Sequence, residues 1–334
     1  MVERGIVRFG LFLTLALPVL GLFVAEPALA DPDMAAFPPP GRLVAVDGHQ
    51  RHLFCTGVGT PTVILEEGAG GASLNWVWIQ RMVAATTRVC SYDRPGYGWS
   101  DPSDTPRDAE TVGRELDALL KSAREKRPFI IVGHSLGGAY ARMFAAQQPD
   151  EVVGLVLVDA TSPSAFATMS EVGLPPIRKS AFEMFLASSG ALFQVAHRIG
   201  LIRITIDEDL NDFPPDAVPV MRAFLLSDER ARTAVRELDS VSDTLGQISP
   251  LSGVGLMPVT VIAADRWIDK DPDVAAKRAE WNKKQWQRNW LAISNNSRFL
   301  VVAGSDHLSL LSKKEHAAVV SDAIIRMVHS LEHR

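Results

Sequence analysis

The chain has 334 residues, of which 47% are apolar and 22% are charged, and its formal net charge is −5 at pH 7. This length and composition are typical of a globular protein with one large domain and an insertion. Lysine and arginine are dispersed along the chain, so no basic face is available for a phosphate backbone and we expect no nucleic-acid partner.

The first thirty residues have the pattern of an export signal. Arginines at positions 4 and 8 precede an apolar stretch from Phe9 to Ala25, and Ala28-Leu29-Ala30 matches the small-x-small sequence that signal peptidase cleaves. We therefore expect a periplasmic or secreted protein with no stable membrane insertion after cleavage. The alternative is an uncleaved signal that anchors the protein in a membrane, although Pro18 and Gly21 interrupt the apolar stretch.

After a linker at residues 31–41, short apolar runs alternate with helical patterns. This alternation predicts an α/β fold, in which helices cover both faces of a mostly parallel sheet. The eight predicted strands are Arg42–Val46, Gln50–Cys55, Thr62–Glu66, Thr87–Tyr92, Phe129–Val132, Leu155–Val158, Val259–Ala263 and Arg298–Val302. The predicted helices between and after them are Val77–Ala85, Asp108–Arg124, Gly138–Gln147 and Glu315–Leu331.

About a hundred residues between the sixth and seventh predicted strands have no strand pattern. They carry the amphipathic runs Ala181–Arg198 and Pro219–Leu238, which favour helices. The sequence therefore predicts a helical insertion after the sixth strand.

The pentapeptide Gly133-His134-Ser135-Leu136-Gly137 lies between an apolar strand and a helical run. A serine on such a tight turn is exposed at the carboxyl edge of the sheet, and the flanking glycines tolerate the crowded backbone. This arrangement is the pattern of a nucleophile elbow, so Ser135 is the candidate nucleophile.

The chain resembles the α/β-hydrolase fold superfamily in its lid-bearing form, and the resemblance covers nearly everything after the signal. Four ordered motifs carry it: Glu66 to Gly71, Tyr92 to Ser100, the elbow Gly133 to Gly138, and Gly304-Ser305-Asp306-His307. The resemblance implies an eight-stranded sheet with a hydrolase core at residues 42–160, a helical lid at 161–255 and a second core part at 256–334. Glu67-Gly68 departs from the His-Gly pair that relatives usually carry.

The same resemblance implies roles for individual residues. His307 would be the general base, and the backbone N–H groups of Ala69 and Leu136 would form the oxyanion hole. Asp93 and Arg94 are expected to have a structural role in a buried ion pair or turn. His134 is expected to point away from the serine. The other histidines are expected on the surface or in packing positions: His49, His52, His197, His316, His329 and His333.

The acid that orients His307 stays open between two strand ends. Most relatives carry it after the seventh strand, where this chain offers Asp265 and Asp269 in an imperfect spacing, and a minority carry it after the sixth, where Asp159 lies. We take Asp159 as the first choice and Asp265 as the alternative.

The resemblance also places the strands of Cys55 and Cys90 side by side in the sheet, and export would permit a disulfide between them. The alternative is two buried free thiols.

These features predict a serine hydrolase that cleaves a small or medium carboxylic ester, lactone or amide through an acyl-enzyme on Ser135, with no cofactor and no metal. One alternative is an aminopeptidase of the same fold, which would need acidic lid residues such as Glu183, Asp207, Glu208 and Asp209. The other is a catalytically silent binding protein of this fold.

Overall fold

A computed structural model describes residues 34–163, 210–267 and 271–332. The predicted export signal, the predicted helix Ala181–Arg198 and Asp269 lie outside the described residues. The four lid acids considered for an aminopeptidase, Glu183, Asp207, Glu208 and Asp209, also lie outside them.

The predicted eight-stranded, mostly parallel sheet is confirmed. Its strands are β1 (Arg42–Val46), β2 (His49–Thr56), β3 (Thr62–Glu66), β4 (Val89–Tyr92), β5 (Phe129–His134), β6 (Val152–Val158), β7 (Val259–Ala264) and β8 (Ser297–Val302). Their order across the sheet is β1-β2-β4-β3-β5-β6-β7-β8. Only β2 runs against its neighbours β1 and β4, and all the other pairs are parallel. Strand β4 starts two residues later than predicted, because the N–H of Thr87 bonds to Val83 O at the end of the preceding helix.

The described α-helices are α1 (Val77–Val83), α2 (Ala109–Ala123), α3 (Gly137–Gln147), α4 (Val218–Leu225), α5 (Asp228–Asp239), α6 (Val241–Ile248), α7 (Pro272–Trp281), α8 (Ser309–Ser312) and α9 (Lys314–Glu332). A π-helix spans Asn282–Trp286, and 3₁₀ turns span Met34–Ala36, Ser73–Trp76 and Gln287–Ile293. Within residues 34–163, 210–267 and 271–332, no helix combines the length and apolar character that a membrane crossing requires.

Helices cover both faces of the sheet, because alternate strand residues point to opposite sides. In β3, Ile64 belongs to an apolar cluster with α2, α3 and α6, whereas Val63 and Leu65 belong to a second cluster with α1, α8 and α9. The central parallel strands are buried on both faces, which explains why they appear in the sequence as continuous apolar runs.

The described part of the insertion contains α4, α5 and α6. The run Pro219–Leu238, expected as one helix, is divided at Ser227, whose side chain accepts a hydrogen bond from Arg230 N and caps α5. A third apolar cluster joins α4 to the segments after β3 and β4: Ala72, Leu74, Tyr97, Leu210, Phe213, Met221 and Phe224. This contact places the insertion beside the carboxyl edge of the sheet.

Candidate active site

Ser135 lies on the sharp turn between β5 and α3, with a left-handed φ of 53°. Its N–H donates to Val158 O (3.1 Å), and its carbonyl accepts from Gly138 N (3.1 Å) and Thr161 N (2.8 Å). A Cβ at Gly137 would lie 2.4 Å from Glu66 O, so the turn requires glycine there. The neighbouring strands therefore fix the serine at the carboxyl edge of the sheet.

The loop of residues 67–71 after β3, here the glycine loop, passes directly over the serine. A Cβ at Gly68 would lie 2.7 Å from Ser135 Cβ and 3.3 Å from Ser135 Oγ, so a side chain there would collide with the serine. Within the described residues, the N–H groups of Ala69 and Leu136 donate to no protein acceptor. With respect to these residues, both groups are available as hydrogen-bond donors at the serine.

His307 lies in the loop of residues 303–308 after β8, here the histidine loop, and contacts Asp159. Its Nδ1 is 2.7 Å from Asp159 Oδ2, and Asp159 is buried at the end of β6. The alternative acid, Asp265, accepts from Lys283 Nζ (3.0 Å) and Gly304 N (3.0 Å) instead. The structure thus brings Asp159 to His307, whereas Asp265 joins the π-helix at Asn282–Trp286 to the histidine loop.

The Asp159 carboxylate accepts three hydrogen bonds. Besides His307, its Oδ1 accepts from Asn282 Nδ2 (2.7 Å) and Ala264 N (3.1 Å). Burial by itself raises the pKa of Asp159, but the hydrogen bond and charge of His307, together with the Asn282 and Ala264 donors, lower the pKa below its usual value. The carboxylate is therefore ionised at neutral pH.

Two amides that sequence reasoning missed support this carboxylate. In the π-helix, the backbone N–H of Gln287 donates to the carbonyl of Asn282, five residues earlier. The side chains of the same two residues are also joined, since Gln287 Nε2 donates to Asn282 Oδ1 (3.1 Å). Gln287 Nε2 also donates to Ala160 O (3.2 Å). Neither residue belongs to a family motif, so the sequence carries no signal for this amide pair, Asn282 and Gln287. Its position depends on the π-helix.

Arg94, after β4, uses all five of its N–H groups in a buried network, here the arginine network of Arg94, Glu66 and Glu237. Its Nε and Nη2 bind Glu237 Oε1 (2.7 Å) and Oε2 (3.1 Å) on α5, and its Nη1 binds Glu66 Oε1 (2.6 Å). Nη1 and Nη2 also donate to Glu67 O (2.6 Å) and Gly68 O (2.7 Å). Arg94 therefore connects the insertion to the glycine loop.

Glu237 and Glu66 complete this network from two sides. Glu237 Oε2 also accepts from Tyr97 OH (2.8 Å) and Gly70 N (3.2 Å), and Tyr92 OH donates to Glu66 Oε2. Burial raises the pKa of Glu66 to about 7, in spite of the opposing charge of Arg94, and the nearby charge of Glu237 adds to the rise.

Asp93 and Arg94 are both buried and structural, but they have different partners. Asp93 Oδ2 is 2.7 Å from His52 Nδ1, and Asp93 Oδ1 accepts from Ser73 N (2.8 Å). His52, expected among the surface or packing histidines, is fully buried in this pair.

His134 lines the same cavity as Ser135, although its sequence position suggested a side chain that points away. Its Nδ1 is 2.9 Å from Glu67 Oε1 and its Nε2 is 3.0 Å from His307 O. The His134 and His307 ring centroids are 4.6 Å apart. Burial lowers the pKa of His134, but Glu67, the His307 carbonyl and the Asp159 charge outweigh burial and raise it.

Ser135, His307 and the glycine loop border one cavity of about 380 Å³. The insertion, the end of the histidine loop and the helix after it supply its apolar wall, from Phe213, Met221, Leu225, Leu308 and Leu311. Polar groups also border it, from Asn75, Asp212, Arg230 and Asp306. Its size and lining suit a small organic molecule with an apolar part.

One cluster of metal-ligating groups occurs in the described residues, at Cys55, Cys90 and Glu125. Cys55 and Cys90 are directly opposite each other on β2 and β4, and their sulfur atoms are joined at 2.04 Å. Bonded sulfurs are not available as thiolate ligands, so this geometry fits a disulfide rather than a metal site.

The chain matches the alpha/beta hydrolase family over residues 68–323. One curated relative, a (lyso)-N-acylphosphatidylethanolamine lipase of Bos taurus, is 34% identical over 139 residues, which cover 40% of this chain and 40% of the lipase. The matches to the first curated relatives span less than half of each relative's length.

Solved structures share the fold over most of their length. An esterase from Exiguobacterium antarcticum aligns with a TM-score of 0.63 at 17% identity, over 87% of this chain and 99% of the esterase. The epoxide hydrolase CorEH aligns with a TM-score of 0.64 at 16% identity, over 87% of this chain and 98% of that protein.

Proposed function

The chain belongs to the alpha/beta hydrolase family, and we propose that it is a serine hydrolase that cleaves a small or medium carboxylic ester, lactone or amide through an acyl-enzyme on Ser135. The hydrogen bond between His307 and Asp159, at the cavity that Ser135 also borders, carries this proposal. It supplies the oriented base that a serine needs, because an unassisted hydroxyl is a weak nucleophile.

In this mechanism His307 accepts the Ser135 proton as the hydroxyl attacks the substrate carbonyl. Asp159 holds the ring through Nδ1, which leaves Nε2 as the basic nitrogen, and it stabilises the imidazolium that forms. The imidazolium then donates its proton to the leaving group, and an acyl-Ser135 ester remains. A water molecule, deprotonated by His307, hydrolyses this ester and restores the serine.

The N–H groups of Ala69 and Leu136 would bind the oxyanion of each tetrahedral intermediate. The peptide unit that joins Gly68 to Ala69 is planar and trans, so its C=O and N–H point in opposite directions. Arg94 holds the Gly68 carbonyl at 2.7 Å and thereby fixes the direction of the Ala69 N–H. Arg94 acts here as a positioning residue.

A fluorophosphonate probe and a substrate panel test the proposal. The probe should label Ser135, and esters, lactones or acyl amides should be hydrolysed, whereas Ser135→Ala and His307→Ala should each reduce kcat by about 10⁴ to 10⁶. Tryptic mapping that finds the label on another residue, or full turnover by Ser135→Ala, would contradict the nucleophile. Failure of the probe to react would favour a silent binding protein, and a preference for aminoacyl amides would favour an aminopeptidase.

We also propose that the protein is exported, with cleavage after Ala30 and a Cys55–Cys90 disulfide. The residues of the signal support cleavage, and the position of the two cysteines on adjacent strands supports the bond. Thiol titration of the denatured, unreduced exported protein should find no free thiol. Two titratable thiols per chain would rule out the bond.

A further inference from the structure

His134 is a buried histidine that contacts an acceptor at each ring nitrogen. Nδ1 faces a carboxylate oxygen of Glu67 at 2.9 Å, and Nε2 faces the backbone carbonyl of His307 at 3.0 Å. Through these two contacts one side chain connects the elbow to the glycine loop and to the histidine loop.

The two acceptors determine how many protons the ring must carry. A neutral imidazole has one N–H and one bare nitrogen, so it can donate to only one of the two partners. The other contact would then place a lone pair against an oxygen lone pair, at a distance where no water fits between them. With Glu67 as a carboxylate, both contacts are hydrogen bonds only when both ring nitrogens are protonated.

The charges around the ring agree with this count. Glu67 lies against Nδ1, the Asp159 carboxylate lies behind His307, and the ring of His307 itself lies 4.6 Å away. Among the described residues, the other aromatic neighbour of His134 is Trp76, which is uncharged; the two rings are perpendicular, with centroids 6.5 Å apart. The carboxylates raise the pKa of His134 more than burial lowers it.

We propose that His134 is a positioning residue that works as an imidazolium: its two N–H groups fix the histidine loop and the glycine loop relative to Ser135, and loss of one proton releases one of the two loops. This inference rests on the proposed function, because it gives His134 the role of holding the loop that carries the proposed base, His307. Hydrolysis should then fall at alkaline pH as His134 loses its proton.

Glu67→Gln separates this account from a merely structural role. A glutamine can turn its amide so that Nε2–H donates to Nδ1, while a neutral His134 donates from Nε2 to His307 O. Both contacts then persist without an imidazolium, so this variant has no proton to lose at this site. A structural role for Glu67 would alter overall activity or folding and leave the shape of the pH profile unchanged.

The kinetic experiment measures kcat/KM for one ester from about pH 6 to about pH 10, corrected for spontaneous hydrolysis. For the wild-type protein, kcat/KM should fall on the order of tenfold at the alkaline end, which corresponds to the loss of one hydrogen bond from a charged donor. The Glu67→Gln profile should fall less than about twofold over the same range.

Asp212→Asn is the matched control, because it removes a negative charge from the same cavity without contact to His134, and its alkaline fall should equal that of the wild type. Equal alkaline falls in the wild type and Glu67→Gln, or no fall in the wild type, would overturn the proposal.

An independent readout is the protonation of the ring itself. In ¹⁵N-histidine-labelled protein, the His134 signals, identified by their absence from His134→Gln and by their change in Glu67→Gln, should show two protonated nitrogens at neutral pH and lose one proton in the alkaline range. A neutral ring at pH 7 in the wild type would refute the imidazolium. If the protein hydrolyses no substrate but His134 titrates in this way, the proposed function is wrong and the imidazolium is supported. If the protein is active and His134 is neutral, the proposed function stands and the imidazolium is wrong.

Discussion

The glycine loop and the histidine side of the cavity are fixed by different chemistry. Arg94 fixes the glycine loop with a full positive charge between two buried carboxylates, Glu66 and Glu237. Asp159, the partner of His307, is fixed by neutral donors, namely the Asn282 amide and the Ala264 N–H. Breaking a buried ion-pair network is costly in stability, because each charge that loses its partner remains buried away from water. Neutral donors, by contrast, hold the Asp159 carboxylate in place without cancelling the negative charge that the reaction needs.

The first way to test this contrast is to neutralise the acid on the histidine side. Asp159→Asn should lower kcat by about 10² to 10⁴, because an amide neither fixes the working tautomer of His307 nor stabilises its imidazolium. Asp265→Asn, the same change at the neighbouring strand end, should keep near-normal turnover, because Asp265 binds Lys283 and Gly304. Steady-state kinetics on one ester compares the two variants. If Asp265→Asn lowers kcat more than Asp159→Asn does, the acid that orients His307 is Asp265, at the end of β7.

The second test breaks the arginine network from the insertion. Glu237→Gln should destabilise the protein by about 3 kcal/mol, because in either orientation its amide NH2 faces an N–H of Arg94, and Arg94 keeps only one carboxylate partner. Glu229→Gln is the matched control on the same helix, since Glu229 pairs with Arg232 at the surface, and it should cause no measurable change. Urea unfolding of both variants provides the comparison. Equal effects would mean that the network contributes no more than a surface pair.

The third test uses pH, to which the two regions respond with opposite sign. The pKa of Glu66 is raised from 4.5 to about 7, so the folded protein binds a proton that the unfolded chain has lost, and this contribution to stability is lost as pH rises from about 4.5 to about 7. The pKa of Asp159 is lowered, so its contribution is present above the unfolded pKa and is lost as pH falls through the folded one.

Glu66→Gln should remove the first of these contributions. The free energy of unfolding of the wild type relative to this variant should fall by on the order of 2 kcal/mol between about pH 4.5 and about pH 7. Denaturant titrations at several pH values measure the difference, and the exposed Glu229→Gln variant serves again as the control. A difference between wild type and Glu66→Gln that does not change with pH would show that Glu66 is ionised throughout this range.

Much of the fold was predictable because its signals are local. The central strands are continuous apolar runs because both faces of the sheet are covered, and the elbow is marked by glycines that the turn requires. The division of the insertion at Ser227 also has a local signal, because an N-cap serine followed by two acidic residues, Asp228 and Glu229, is typical of a helix start. The apolar periodicity continues across the break, however, and by itself favours one continuous helix.

The sequence by itself determined the family motifs, the order of the strands along the chain and the two residue types, serine and histidine, at the ends of β5 and β8. Only the tertiary structure decided which aspartate contacts His307, because Asp159 and Asp265 both follow strand ends and the packing of loops sets their distances. The same holds for Glu237, which lies 143 residues from Arg94, and for Asn282, which reaches Asp159 from a π-helix. These contacts join distant parts of the chain, and no local pattern specifies where two such parts meet once the chain is folded.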